Sequence, residues 1–184
     1  MTNYLLLKNR FVTKFNISMS SLVVPLIPMN DGFDIPQVGL ASFRSDSKED
    51  VRKFIVTEME CGVRHLEFTE LLGNGHVVVE SVRSGKDIPR SDCFFTFKVW
   101  PKNRKPKGII AACKETLRYV GLEYVDLVLL HAPIDIKNLN EQWRGLEALK
   151  NEGIARSIGV ANMSLSQLSE LLKNSLIAPA VVEV

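Results

Sequence analysis

His131 closes an almost wholly apolar run. Gly121 ends a helix, a short polar link follows, and Val125 to Leu130 then read as a strand covered on both faces. Pro133 stops the strand two residues beyond the histidine. A titratable side chain at the C-terminal tip of a buried parallel strand sits where α/β barrels keep their chemistry. An imidazole there could hold or move a proton near neutral pH. Lys98 is the second candidate. It lies inside Phe94–Trp100, between apolar neighbours, where an ammonium is costly unless something pairs with it. Plainer readings exist for both: a lysine snorkelling to solvent from a strand end, and a strand-end histidine with its hydrogen bonds simply satisfied.

The elements that would carry these residues alternate between strand and helix. Leu22–Ile27 and Phe33–Ile35 flank Asn30-Asp31-Gly32, a strong tight-turn signal, so a hairpin is expected first. Val38–Ser42 reads as a short strand. Ser47 with Asp50 opens a helix that places Val51, Phe54, Ile55 and Met59 on one face, and Gly62 closes it. His65–Thr69 and Cys93–Val99 are the next strands, separated by a helix over 75–85. Helices are expected over 106–120 and 140–152, followed by a strand at Ser157–Val160. Ser164 and Gln167 form a capping box for a further helix, with Leu165, Leu168, Leu171 and Leu172 as its inner face. Val181–Val184 reads as a sixth strand. Short links between alternating strands and helices imply a parallel sheet, either doubly wound or closed as a (β/α)8 barrel. No Gly-x-Gly-x-x-Gly follows the first strand, which counts against a Rossmann fold. The hairpin would suit the bottom plug of a barrel.

Composition narrows the field. The chain has 184 residues, 46% hydrophobic and 24% charged, with a net charge of +2, which suits one globular domain with a sizeable core. There is no basic face interleaved with aromatics to suggest nucleic acid, and no apolar run long enough to span a bilayer. Cys61, Cys93 and Cys113 lie far apart without metal-ligand spacing, as expected of buried thiols in a reducing compartment such as the cytoplasm. Residues 1–20 are basic, apolar and free of acid. They read as a disordered extension or, alternatively, a mitochondrial-type leader ahead of a domain over 21–184.

Several blocks in order resemble the motifs of the aldo-keto reductase family. They are Asn30-Asp-Gly with Ile35-Pro-Gln-Val-Gly-Leu40, Gly62-Val-Arg-His-Leu66, Gly73-Asn74, Ile88-Pro-Arg-Ser-Asp92 and Phe97-Lys-Val-Trp100. After these come Leu130-His-Ala-Pro133, Gly153-Ile-Ala-Arg-Ser-Ile-Gly-Val-Ala-Asn162 and Pro179-Ala-Val181. The resemblance runs from about residue 28 to 184 and implies a TIM-type (β/α)8 barrel, here with about six of its eight strands. It also implies NADPH-dependent reduction of aldehydes and ketones, with a small carbonyl compound as substrate. A phenol gives the proton, its pKa lowered by an ammonium that pairs with a carboxylate, and an imidazole orients the carbonyl. By this resemblance the lysine is Lys98, the histidine His131 and the carboxylate Glu67, one methylene longer than the family's Asp.

The tyrosine position holds Leu72, which has no proton to give; Glu70 and His76 lie near it in sequence. The cofactor side departs too. The positions that hold the nicotinamide carboxamide read Ala161, Asn162 and Glu183, with Ser42 added at the end of the first strand. The family's remaining NADP contacts follow the sixth strand. The resemblance therefore implies a reductase lineage with weak NADP(H) binding and impaired activity. The alternatives are a non-catalytic interaction protein on the same scaffold, and a fragment or alternative product of a longer enzyme. Open strand edges would also favour self-association.

Overall fold

The turn chemistry of Asn30–Gly32 is realised as expected: Gly32 takes φ 88°, a left-handed conformation that glycine accepts without strain. Around it β1 (Leu26–Pro28) and β2 (Asp34–Pro36) pair antiparallel, Ile27 opposite Ile35. This computed structural model describes residues 23–41, 47–69, 75–84, 88–101, 105–132 and 136–184. The 1–20 segment, Ser42, Glu70, Leu72 and the Gly73-Asn74 pair lie outside the described residues.

Six parallel strands form the main sheet: β3 (Gly39–Leu40), β4 (His65–Thr69), β5 (Phe94–Val99), β6 (Val125–His131), β7 (Ala155–Ala161) and β8 (Val181–Glu183). They neighbour one another in chain order, without a point at which the order reverses. That is the arc of a barrel and not a doubly wound sheet. Helices α1 (Lys48–Glu60), α2 (Gly75–Ser84), α3 (Pro106–Val120), α4 (Ile136–Asn151) and α5 (Leu165–Asn174) alternate with the strands, and a 3-10 turn, Arg90–Asp92, precedes β5. Ser47 caps α1 through Asp50 N at 3.1 Å, and the Ser164–Gln167 capping box is formed on both sides. α4 begins four residues earlier than the sequence predicts, and Leu139 in this added turn already packs in the core.

Strand alternation separates two cores. Leu66, Phe68, Phe95, Phe97, Val128, Leu130, Ile158 and Val160 face the helices with Ile55, Leu117, Trp143 and Leu171. Phe94, Leu127, Leu129 and Ala161 form a smaller lumen cluster, onto which Met29 and Ile35 of the hairpin and Val181 pack. The hairpin is thus the plug at the bottom of the arc. Asn30 Nδ2 ties it to Pro179 O at 3.0 Å, and Asp31 to Lys150 at 2.7 Å. The inner face expected of α5 needs correction. Leu171 is buried and Leu168 partly so, but Leu165 and Leu172 are 86% and 51% exposed. Leu165 opens the helix at its end, and Leu172 is turned about 100° from Leu171, off the narrow stripe that meets the sheet.

The bottom of the sheet is pinned by Asp126. It accepts from Phe95 N at 2.8 Å, Arg90 at 2.7 Å and Arg156 at 3.2 Å. Both guanidiniums lie over the Tyr124 ring, at 4.1 and 4.4 Å. The approach to β8 is pinned separately. The Glu147 carboxylate on α4 accepts Leu176 N and Ile177 N at 2.7 and 2.9 Å, and Trp143 Nε1 donates to Ile177 O at 3.0 Å. Gly159 lets β8 come close to β7: a Cβ there would stand 2.5 Å from Val181 O.

Candidate active site

The lumen-facing positions of the strands bring Glu67 (β4), Lys98 (β5), His131 (β6) and Glu183 (β8) to the C-terminal end of the sheet. Lys98 Nζ lies 3.0 Å from Glu67 Oε1 and pairs also with Glu183 Oε1. The three side chains are only 12%, 14% and 17% exposed. Burial works against the ammonium, but Glu67 and Glu183 outweigh it and raise the Lys98 pKa above its ordinary value. Burial is also the main force on Glu67. It raises that carboxyl's pKa, with Glu183 adding and Lys98 opposing. The sequence placed Glu183 on the cofactor side; the fold makes it a second counter-ion of Lys98.

His131 is held on three sides. Nδ1 donates to Ala132 O, and Nε2 accepts from Asn162 Nδ2 at 2.8 Å. Trp100 stacks on the ring with centroids 3.9 Å apart and planes at 17°. Burial, helped by Lys98, lowers its pKa against the pull of Ala132 O and Glu183, so the ring is neutral at pH 7. Asn162 reaches it from a left-handed conformation, φ 56°, and is fixed by its own N–H on Glu183 O at 2.8 Å. Ala161 is fully buried and offers only backbone, its carbonyl accepting Ala132 N at 2.9 Å. The Trp100 stack and the Asn162–His131 contact were not read from sequence; Trp100, two residues past Lys98, was the only hint.

Among the described residues, no group of three or more His, Cys, Asp or Glu is arranged to hold a metal ion, and no helix is long and apolar enough to cross a membrane. A cavity of about 260 Å³ lies at the opposite end of the sheet, between the hairpin residues Leu26 and Phe33 and the β5–β6 residues Phe94 and Asp126. It is remote from Lys98 and is not the site described here.

The chain belongs to the aldo/keto reductase family, whose model matches residues 37–184. It is 34% identical over 179 residues to aldo-keto reductase AKR2E4 of Bombyx mori, covering 87% of this chain and 57% of that relative. It is 30% identical over 181 residues to aldo-keto reductase family 1 member A1 of Bos taurus, covering 86% and 55%. This chain therefore spans little more than half the length of these relatives. The structure superposes on an aldo/keto reductase from Brucella melitensis with a TM-score of 0.81 at 31% identity, over 87% of this chain and 62% of that one. It also superposes on the Bombyx mori AKR2E4 complex with NADP, again at 0.81 and 31%, over 89% and 59%. The barrel implied by the motifs is thus the family's barrel, seen as a six-stranded arc with the added hairpin.

Proposed function

We propose that this chain carries the oxidoreductase scaffold of its family with carbonyl reduction impaired. The observation that carries this reading is that both ring nitrogens of His131 are already engaged, by Ala132 O and by the Asn162 amide. Carbonyl reduction needs a proton for the oxygen and a donor that faces it. Lys98 gives hydrogen bonds to two carboxylates. The one N–H of the neutral His131 ring goes to Ala132 O, and its other nitrogen is taken by Asn162. Leu72 supplies no acid, which forfeits a factor of about 10² to 10⁴.

NADP, bound in the Bombyx mori complex, is the cofactor that the family implies. The residues of this chain do not fit its nicotinamide carboxamide as the motifs lead one to expect. Asn162 gives one amide N–H to His131, Glu183 is an ion-pair partner of Lys98, and Ala161 has no hydroxyl. NADP(H) therefore binds weakly, with Kd above about 100 μM, or less than about 5.5 kcal/mol of binding.

The test is NADPH oxidation with a reactive aromatic aldehyde, followed side by side for this chain, its Leu72→Tyr variant and the Bombyx mori relative. Turnover of the unaltered chain at the relative's rate would overturn the reading. No turnover by either form of this chain, even at millimolar NADPH, would favour the second reading, a non-catalytic protein that keeps the scaffold. The full pairing of His131 already points that way.

A further inference from the structure

The cavity at the bottom of the arc has an apolar wall open to water among the described residues. Leu26 and Phe33 of the hairpin are 60% and 42% exposed on that wall, beside Pro36 and Phe94. Apolar side chains grouped this way within a polar rim mark a surface that something else covers. At about 260 Å³ the space falls short of the roughly 300–1,000 Å³ of ordinary small-molecule sites, and it suits one or two large side chains. Asp34 and Asp92 bring exposed carboxylates to the same wall. The guanidinium of Arg156, also on the wall, is held by Asp126 at 3.2 Å and lies over the Tyr124 ring.

We infer that residues 4–15 of this same chain dock in that cavity, with Phe11 and Phe15 as the anchors and Lys8, Arg10 and Lys14 beside Asp34 and Asp92. The segment carries the matching chemistry. Its leucines at 5–7 and its two phenylalanines are interleaved with those three cations, and no acid precedes Asp31. Connection favours this occupant over a second copy. Phe15 lies eleven positions before Leu26. A chain of that length reaches about 35 Å at most, ample for a return to a cavity that Leu26 itself lines. Such a tether gives an effective concentration of about a millimolar, which the same segment of a free copy would have to exceed. The docking stands apart from the strand-end site and its cofactor.

Photocrosslinking in the 184-residue chain tests this. Asn9, Thr13 and Asn16 are replaced one at a time by p-benzoylphenylalanine, and the linked peptides are identified by mass spectrometry in an equal mixture of ¹⁵N-labelled and unlabelled chain. The expected links run to the hairpin around Leu26–Pro36 and to Ser91–Phe94, and they join peptides of the same isotope. Leu26→Ser, at a side chain already exposed, should cut their yield at least about fivefold while leaving the circular dichroism unchanged. If that variant does not fold, Asp34→Lys together with Asp92→Lys reverses the charge at the wall and should cut the yield as well. Links that pair the two isotopes would make a second copy the occupant and overturn the proposal. Links to other faces of the barrel, no links from any of the three positions, or a yield untouched by the variants would also overturn it.

Discussion

Lys98 on β5 and Glu183 on β8 form an ion pair although β6 and β7 lie between their strands. Three strand spacings in a flat sheet come to about 14 Å, with both side chains standing off the same face and not aimed at each other. The pair therefore requires the sheet to curl towards its lumen. Lys98 is both the charge centre of the site and a tie across the arc, joining β4, β5 and β8.

Removing that tie should be costly. Lys98→Met leaves two mostly buried carboxylates facing each other without a cation, a change expected to destabilise by about 3–5 kcal/mol at pH 7. The loss should shrink as pH falls and the carboxyls take up protons. Urea unfolding at pH 7 and at pH 5 measures both. A loss below about 1 kcal/mol at pH 7 would mean that the pair does not hold the arc.

A second prediction concerns His65, buried at the start of β4 with Nε2 on Thr96 Oγ1 at 2.8 Å. Burial pushes its pKa down to about 4, with Lys98 adding and Pro36 O opposing. The unfolded chain binds this proton more readily than the fold, so stability rises with pH. The contribution is complete above the ordinary value near 6.5 and is lost as pH falls towards 4, about 3 kcal/mol in all. His65→Gln should flatten this part of the pH–stability curve between pH 7 and 4.5. An unchanged slope would show that other groups carry it.

What could be read in advance follows from range in sequence. β4 and α3 match expectation residue for residue, since an apolar run and a helix between Pro106 and Gly121 are local signals. Lys98 needed a carboxylate by elementary electrostatics, and Glu67 on the adjacent strand supplies one. Glu183 could not be assigned to it, because a contact over 85 positions depends on sheet curvature. The same holds for Asn162. Its amide meets His131 only because β6 and β7 pair in the register His131 opposite Ala161, which no motif states. Leu165 and Leu172 were misassigned because helical spacing gives the direction of a side chain but not the width of what it meets.

Third, the two end strands of the sheet should make the 184-residue polypeptide self-associate. β3 and β8 each pair on one side only among the described residues, and Val182 on β8 is 44% exposed. An apolar strand with free N–H and C=O groups is a template for a second chain. Size-exclusion chromatography with light scattering should show species larger than a monomer, and Val182→Lys should reduce them. A stable monomer at about 100 μM would count against edge pairing.

The fourth prediction concerns which nitrogen of His131 carries the proton. Ala132 O can only accept, so Nδ1 must be the protonated nitrogen, and Nε2 is then free to accept from the Asn162 amide. The ¹⁵N shifts of His131 should report a neutral ring protonated at Nδ1 at pH 7, with a midpoint below the ordinary 6.5 in the direction that burial and Lys98 set. Asn162→Ala removes the donor to Nε2 and exposes that lone pair. The midpoint should rise in the variant as the ring gains access to water and a second proton site opens. Aldehyde reduction should not recover, because the N–H remains on Nδ1 and Leu72 still offers no acid. Protonation at Nε2 in the unaltered chain would reverse the assignment: the imidazole would then present a donor towards the lumen, and the impairment would rest on Leu72 and Glu183 alone.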